Sequence, residues 1–91
     1  MRVVIAEPLE EGGLAVLRDN GIHIASCIGA SRSDLLYTLK NANGLIVRSQ
    51  TKVDRELLRA ADNLAVIGRA GVGVDTIDVV AATDAGIVVV N

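Results

Sequence analysis

A three-layer α/β/α domain built on a parallel five-stranded sheet is the fold this sequence predicts. Three observations carry that expectation. Short β-branched runs alternate with helix-length stretches along all 91 residues, the pattern of repeated βαβ units. Aromatic residues are nearly absent, with Tyr37 alone, so the core must come from Val, Ile, Leu and Ala, which suit parallel strands buried under helices. Gly and Asn stand where helices must stop and strands must start, at Asn20-Gly21, Asn43-Gly44 and Gly86.

Val3-Val4-Ile5-Ala6 reads as the first strand. Leu9 to Asn20 reads as the first helix, with Leu14 and Leu17 facing inward and Val16 as a further candidate. Gly12 and Gly13 weaken that helix by roughly 1 kcal/mol each relative to Ala. Ile22 to Ala25 forms the second strand. The second helix is capped by Ser33 or Ser31 and runs through Leu35, Leu36 and Leu39 to Lys40. Leu45-Ile46-Val47 is the third strand, and Asp54 opens a third helix carrying Leu57, Leu58 and Ala61. Leu64 to Gly68 is the fourth strand. Asp75 or Thr76 starts the last helix, which runs to Ala85, and Ile87 to Val90 is the fifth strand.

Right-handed crossovers and the flavodoxin-like arrangement predict the strand order 2-1-3-4-5, with half of a Rossmann fold as the alternative. In that order the second, third and fourth helices share one face and the first helix lies alone on the other. A complete flavodoxin-like domain adds a helix after its fifth strand, and this sequence ends at Asn91. The expectation is therefore an incomplete domain over residues 1–91. Apolar parts of 45–47, 65–67 and 87–90 should lie uncovered, inviting self-association or loose packing.

The net charge of −2, with both signs dispersed, gives no basic surface for nucleic acid or membrane. One cysteine, Cys27, permits no internal disulfide and fits a reducing, cytoplasmic setting. The apolar run before Glu7 is too short for a signal peptide or a membrane span.

Ligands of open parallel sheets sit beyond the carboxyl ends of the strands. Glu7-Pro8 follows the first strand, Arg48-Ser49-Gln50-Thr51 the third, and Arg69-Ala70-Gly71-Val72-Gly73 the fourth. The third and fourth strands are neighbours, so two arginines stand side by side at one rim, next to a glycine loop leading into a helix. Guanidinium groups bind phosphate or carboxylate through paired hydrogen bonds. Glycines bring backbone N–H groups close to an anion, and a helix N-terminus adds its positive end. A plainer reading pairs Arg48 with Glu7 and Arg69 with Asp75 as weak surface ion pairs. It suffices for one arginine, but two of them beside a glycine loop on the ligand-binding edge favour an anion site.

The loop also begins a dinucleotide motif, but Thr76 occupies the third glycine position and no acidic residue closes a later strand. A self-sufficient dinucleotide site is not expected.

The segments Gly44-Leu-Ile-Val-Arg-Ser-Gln-Thr-Lys-Val53, Val66-Ile-Gly-Arg-Ala-Gly-Val-Gly-Val-Asp-Thr-Ile-Asp78 and Ala81-Ala-Thr-Asp-Ala-Gly-Ile-Val-Val-Val-Asn91 resemble the D-isomer-specific 2-hydroxyacid dehydrogenases. The pairing of V-R-S-x-T with G-R-A-G-V-G-V-D looks like the members acting on 3-phosphoglycerate. Gln50 and Thr76 depart mildly, standing where Ala and Asn are more usual. The resemblance implies a substrate-binding domain whose partner, a NAD-binding Rossmann domain, is absent from these residues. It further implies that the Val72 and Gly73 amides hold the substrate carboxylate, while Arg48, Ser49 and Arg69 lie toward a phosphate. The family's cofactor glycines and its catalytic Arg, Glu and His come later in the chain, so residues 1–91 alone are expected to be inactive. The implied reaction is NAD-dependent oxidation of 3-phosphoglycerate to 3-phosphohydroxypyruvate, the first step of serine biosynthesis.

Other residues read more simply. His23, the one histidine, falls on the second strand without a partner acid or nucleophile and is expected to be a partly buried strand residue. Cys27 has no feature that would lower its pKa. No ligand cluster for a metal is evident, and Glu10-Glu11 suits a solvated first helical turn. A dehydrogenase of an unphosphorylated hydroxyacid has no use for two extra cations. A phospho-receiver needs an acid where Arg48 stands. An FMN-binding module needs a phosphate loop where Glu7-Pro8-Leu9 stands.

Overall fold

Five parallel strands lie in the order 2-1-3-4-5. They are β1 (Arg2–Ile5), β2 (His23–Ser26), β3 (Gly44–Val47), β4 (Val66–Arg69) and β5 (Val88–Val90). Four helices alternate with them: α1 (Glu11–Asp19), α2 (Arg32–Leu39), α3 (Arg55–Ala60) and α4 (Val79–Asp84). The computed structural model describes residues 1–70 and 76–91.

Because all pairings are parallel, every connection crosses over a face of the sheet. Right-handed crossovers send α1 to one face as the chain steps outward to β2, and α2, α3 and α4 to the other as it steps back through β3, β4 and β5. Contacts agree: α2 packs on α3, α3 on α4, and α1 against β2.

The core lies under the three-helix face. Val4, Leu45, Val47 and Ile67 from the sheet meet Leu39, Leu57 and Ala82 from the helices, all fully buried or nearly so. Alternation divides each strand between the faces. Leu45 and Val47 are buried, while Ile46 between them is half-buried beside Val3, Leu17 and Val66 around a cavity of ≈ 220 Å³ on the α1 face. The uncovered apolar parts expected within 45–47, 65–67 and 87–90 are narrower than continuous runs, since Leu45, Val47, Ile67 and Ile87 are buried. Val88 and Val90 are 59% and 46% exposed, whereas Ile87 is buried.

Helix starts follow their caps. The Ser31 hydroxyl, not that of Ser33, accepts the Asp34 N–H at 3.1 Å, and the Asp54 carboxylate accepts the Leu57 N–H at 3.1 Å. Gly21 ends α1 with φ 73° and Gly86 ends α4 with φ 78°, values that favour glycine.

Several boundaries differ from the sequence reading. β4 extends to Arg69 because its pairing with β3 continues through Val47. The last helix starts at Val79, not at Asp75 or Thr76, since Ile77 forms a parallel bridge with Val53 that holds residues 76–78 extended. The Asp78 carboxylate then caps α4 through the Ala81 N–H at 2.9 Å. Val16 points outward and is 60% exposed. His23 is exposed rather than partly buried, because β2 is an edge strand. Cys27 is buried, as a small apolar residue would be. Among the described residues no helix is long and apolar enough to cross a membrane.

Candidate functional site

The chain leaves β1 in one direction, to β2, and returns past it to β3 on the other side. The crevice between the carboxyl ends of β1 and β3 is therefore the switch point of the sheet, where ligands of such folds usually bind. Here an internal carboxylate fills it. Glu7 follows β1 and is only 7% exposed. Its Oε2 accepts the N–H of Arg48 at 2.6 Å and of Thr51 at 3.1 Å, and its Oε1 accepts the N–H of Gln50 at 3.0 Å. Burial pushes the Glu7 pKa up, but the N–H donors of Arg48, Gln50 and Thr51, with the Thr51 hydroxyl, outweigh it and hold the group below the ordinary glutamate range.

The turn after β3 is wrapped around this acid. Its end is clamped from below by Arg32, whose guanidinium donates to the Lys52 carbonyl at 2.7 Å and to Asp54 at 2.6 Å, with Glu56 at 3.3 Å. Neither Glu7 nor Arg32 was singled out as a site residue by sequence reasoning. A lone acid directly behind an apolar strand and ahead of a proline is the one local signal for Glu7.

Arg48 and Ser49 sit exposed on this turn. The Arg48 guanidinium reaches the Pro8 carbonyl at 3.4 Å. Arg69, at the end of β4, is the cross-strand partner of Val47, and its Nε donates to the Asn91 side-chain oxygen at 3.1 Å. Both arginines thus occupy the same edge one register step apart. Arg48 reaches toward the end of β1, and the Arg69–Asn91 bond runs toward the end of β5. The plainer pairing of Arg48 with Glu7 does not occur through the guanidinium, because the carboxylate is met by backbone N–H groups instead. Gly71, Val72, Gly73 and Asp75 lie outside the described residues. The helix expected to start at Asp75 or Thr76 begins later, at Val79, and Asp78 takes an N–H of its first turn.

A dinucleotide does not fit the described residues. The turn after β1, where a pyrophosphate would need glycine N–H groups, carries the buried Glu7 carboxylate, which repels it. The same carboxylate argues against an FMN phosphate there. Among the described residues no group of three or more His, Cys, Asp and Glu could hold a metal ion.

Comparison with known proteins gives this geometry its context. The D-3-phosphoglycerate dehydrogenase of Archaeoglobus fulgidus is 50% identical over 91 residues, all of this chain and 17% of that protein. Its counterpart in Methanocaldococcus jannaschii is 45% identical over the same span, again 17% of its length. The chain therefore spans about a sixth of the relatives it matches. Among solved structures, the TT0316 protein of Thermus thermophilus superposes with a TM-score of 0.87 at 34% identity, covering 98% of this chain and 29% of that one. The NAD⁺-bound 3-phosphoglycerate dehydrogenase of Entamoeba histolytica superposes with a TM-score of 0.78 at 30% identity, covering 98% and 32%. The family model for the D-isomer specific 2-hydroxyacid dehydrogenase catalytic domain matches residues 3–91. By that match, nearly end to end, the chain belongs to the D-isomer specific 2-hydroxyacid dehydrogenase family.

Proposed function

We propose that this chain forms the substrate-binding rim of a 3-phosphoglycerate dehydrogenase, active only together with a nicotinamide-binding domain. The observation that carries the reading is the parallel register of β3 and β4, which brings Arg48 and Arg69 to one carboxyl edge. Relatives named for 3-phosphoglycerate at 50% and 45% identity support the choice of substrate. In this reading Arg48, Ser49 and Arg69 lie toward the substrate phosphate, and the Val72 and Gly73 amides hold its carboxylate. Guanidinium groups suit the doubly charged phosphate because each offers a planar pair of donors. NAD serves the complete enzyme, and because the turn after β1 does not fit it, no chemical step is assigned to these residues. Their part is to bind and orient the acid. The buried free thiol of Cys27 suits a reducing cytoplasm.

Titration of the ¹⁵N-labelled chain with 3-phosphoglycerate tests this. Amide shifts should concentrate at 48–51 and 69–73, with millimolar affinity, about 4 kcal/mol, because no nicotinamide-binding domain takes part in the titration. Arg48→Ala should weaken binding about fivefold or more. Incubation with NAD and 3-phosphoglycerate should make no NADH. Shifts clustered on the β2 edge would refute the site. Equal binding of glycerate would transfer the reading to a family member with an unphosphorylated substrate.

A further inference from the structure

We infer that Glu7 is a positioning residue, an internal anion that folds the 48–51 turn and presents Arg48 to an external one; this rests on the anion-binding reading above. Glu7 is the one charged side chain buried among the described residues. An isolated buried carboxylate is costly, so its retention in the crevice calls for an account. Among the described residues no Lys, Arg or His forms an ion pair with it. Instead it takes three backbone N–H groups from one short turn, at 2.6, 3.0 and 3.1 Å. Successive N–H groups converging in this way form a concavity that binds anions. Here the anion comes from the chain itself, 41 to 44 residues away in sequence.

Two consequences follow for Arg48. Its own N–H makes the shortest of the three bonds, so its backbone is held at the point where its side chain departs. Its guanidinium is not used to neutralise the acid, because N–H dipoles do that, and it rests on the Pro8 carbonyl at 3.4 Å, a long and weak contact. A guanidinium tethered that lightly can turn to an incoming anion without breaking an ion pair. Had Glu7 been paired with Arg48 directly, the rim would present a neutral couple. The competing view is that Glu7 only ties the end of β1 to the end of β3, with no effect on ligand.

The two views separate in Glu7→Gln and Glu7→Asp variants of the 91-residue chain, with Glu10→Gln, an exposed acid, as the control. Amide exchange and titration with 3-phosphoglycerate are the readouts. Glutamine offers one acceptor and turns a donor toward N–H groups. Glu7→Gln should lose about tenfold protection at Arg48, Gln50 and Thr51 and bind about tenfold more weakly. Protection of Val4, Leu45 and Ile67 should stay. Glu7→Asp, charged but shorter, should recover part of the affinity, and Glu10→Gln should match the parent chain. Full protection in Glu7→Gln, or lost protection with unchanged affinity, overturns the inference. So does a Glu7→Asp chain that binds no better than Glu7→Gln. Should Glu7→Gln fail to fold, Glu7→Asp decides against the parent chain: weaker binding with protection lost only at the three amides supports the role, and lost protection with parental affinity refutes it. If the parent chain itself ignores 3-phosphoglycerate, the proposed substrate fails. The exchange pattern then judges the folding role of Glu7 alone.

Discussion

Removing the Asp54 carboxylate should destabilise the chain mainly through the α3 cap and only secondarily through charge. Its Oδ1 accepts the Leu57 N–H at 3.1 Å and the Arg32 guanidinium at 2.6 Å. The cap is worth about 1 kcal/mol. The ion pair joins side chains 36% and 33% exposed, so solvent reduces it to about 0.5 kcal/mol. Arg32 also keeps the Lys52 carbonyl and Glu56 as partners, so no charge is stranded. Asp54→Ala should therefore cost about 1.5 kcal/mol, or roughly 6–12 °C in Tm for a domain of this size. Asp54→Asn keeps a capping oxygen and should cost about 0.5 kcal/mol, roughly 2–4 °C.

Thermal unfolding by circular dichroism measures both, and a pH series adds the sign. The Leu57 N–H bond lowers the Asp54 pKa, burial opposes it, and Arg32 lowers it further, leaving it below the ordinary aspartate range. A depressed carboxylate stabilises above its unfolded pKa, and that contribution disappears as pH falls through the folded value. The gap between the parent chain and Asp54→Asn should therefore be full at neutral pH and close in strong acid. Equal losses in Asp54→Ala and Asp54→Asn would refute the dominance of the cap. A gap that widens on acidification would refute the charge assignment.

Three further substitutions test the packing. A Cβ at Gly44 would sit 3.1 Å from Val3 Cγ2 and 3.4 Å from Val66 Cγ1, while one at Gly68 would meet only Ile46 Cγ1 at 3.8 Å. Gly44→Ala should cost about 1 kcal/mol from crowding, and Gly68→Ala should be neutral or stabilising by a few tenths, an order that chemical denaturation can check. Leu57→Ala opens a cavity in the fully buried core beneath the sheet and should cost about 3 kcal/mol, seen as a lower denaturation midpoint with an unchanged slope.

What could be read from the sequence follows a physical division. Strands and helices arise from local periodicity, and once the flavodoxin-like order is taken, crossover handedness fixes the helix faces and the shared edge of Arg48 and Arg69. Ser31 and Asp54 announce helix starts by chemistry within three residues. The start of α4 was misplaced because the Val53–Ile77 bridge, a contact between distant segments, overrides the local cap candidates Asp75 and Thr76. His23 was misjudged because its apolar neighbours say nothing of whether a strand lies at an edge. Glu7 looked like the acid partner of an arginine. Its true partners are backbone N–H groups, which every residue carries and no sequence pattern marks.

A buried acid beside a rim proposed to bind anions looks self-defeating, since the Glu7 charge opposes any phosphate brought near Arg48. The competing term is order. Ser49, Gln50 and Thr51 are polar and bring no apolar side chain with which to hold the turn against the core. Fixing the backbone of such a segment costs about 1–2 kcal/mol per residue. Without Glu7, that cost for 48–51 would fall on the ligand, together with the ordering of the Arg48 side chain. With Glu7, folding meets it before any ligand arrives, and the acid remains screened by three N–H dipoles within 3.1 Å. The geometry therefore favours a rim that gives up some attraction for an anion in exchange for a turn already in its binding shape. In the proposed reading the same acid keeps a pyrophosphate out of the switch-point crevice and leaves the anion to the neighbouring β3–β4 edge.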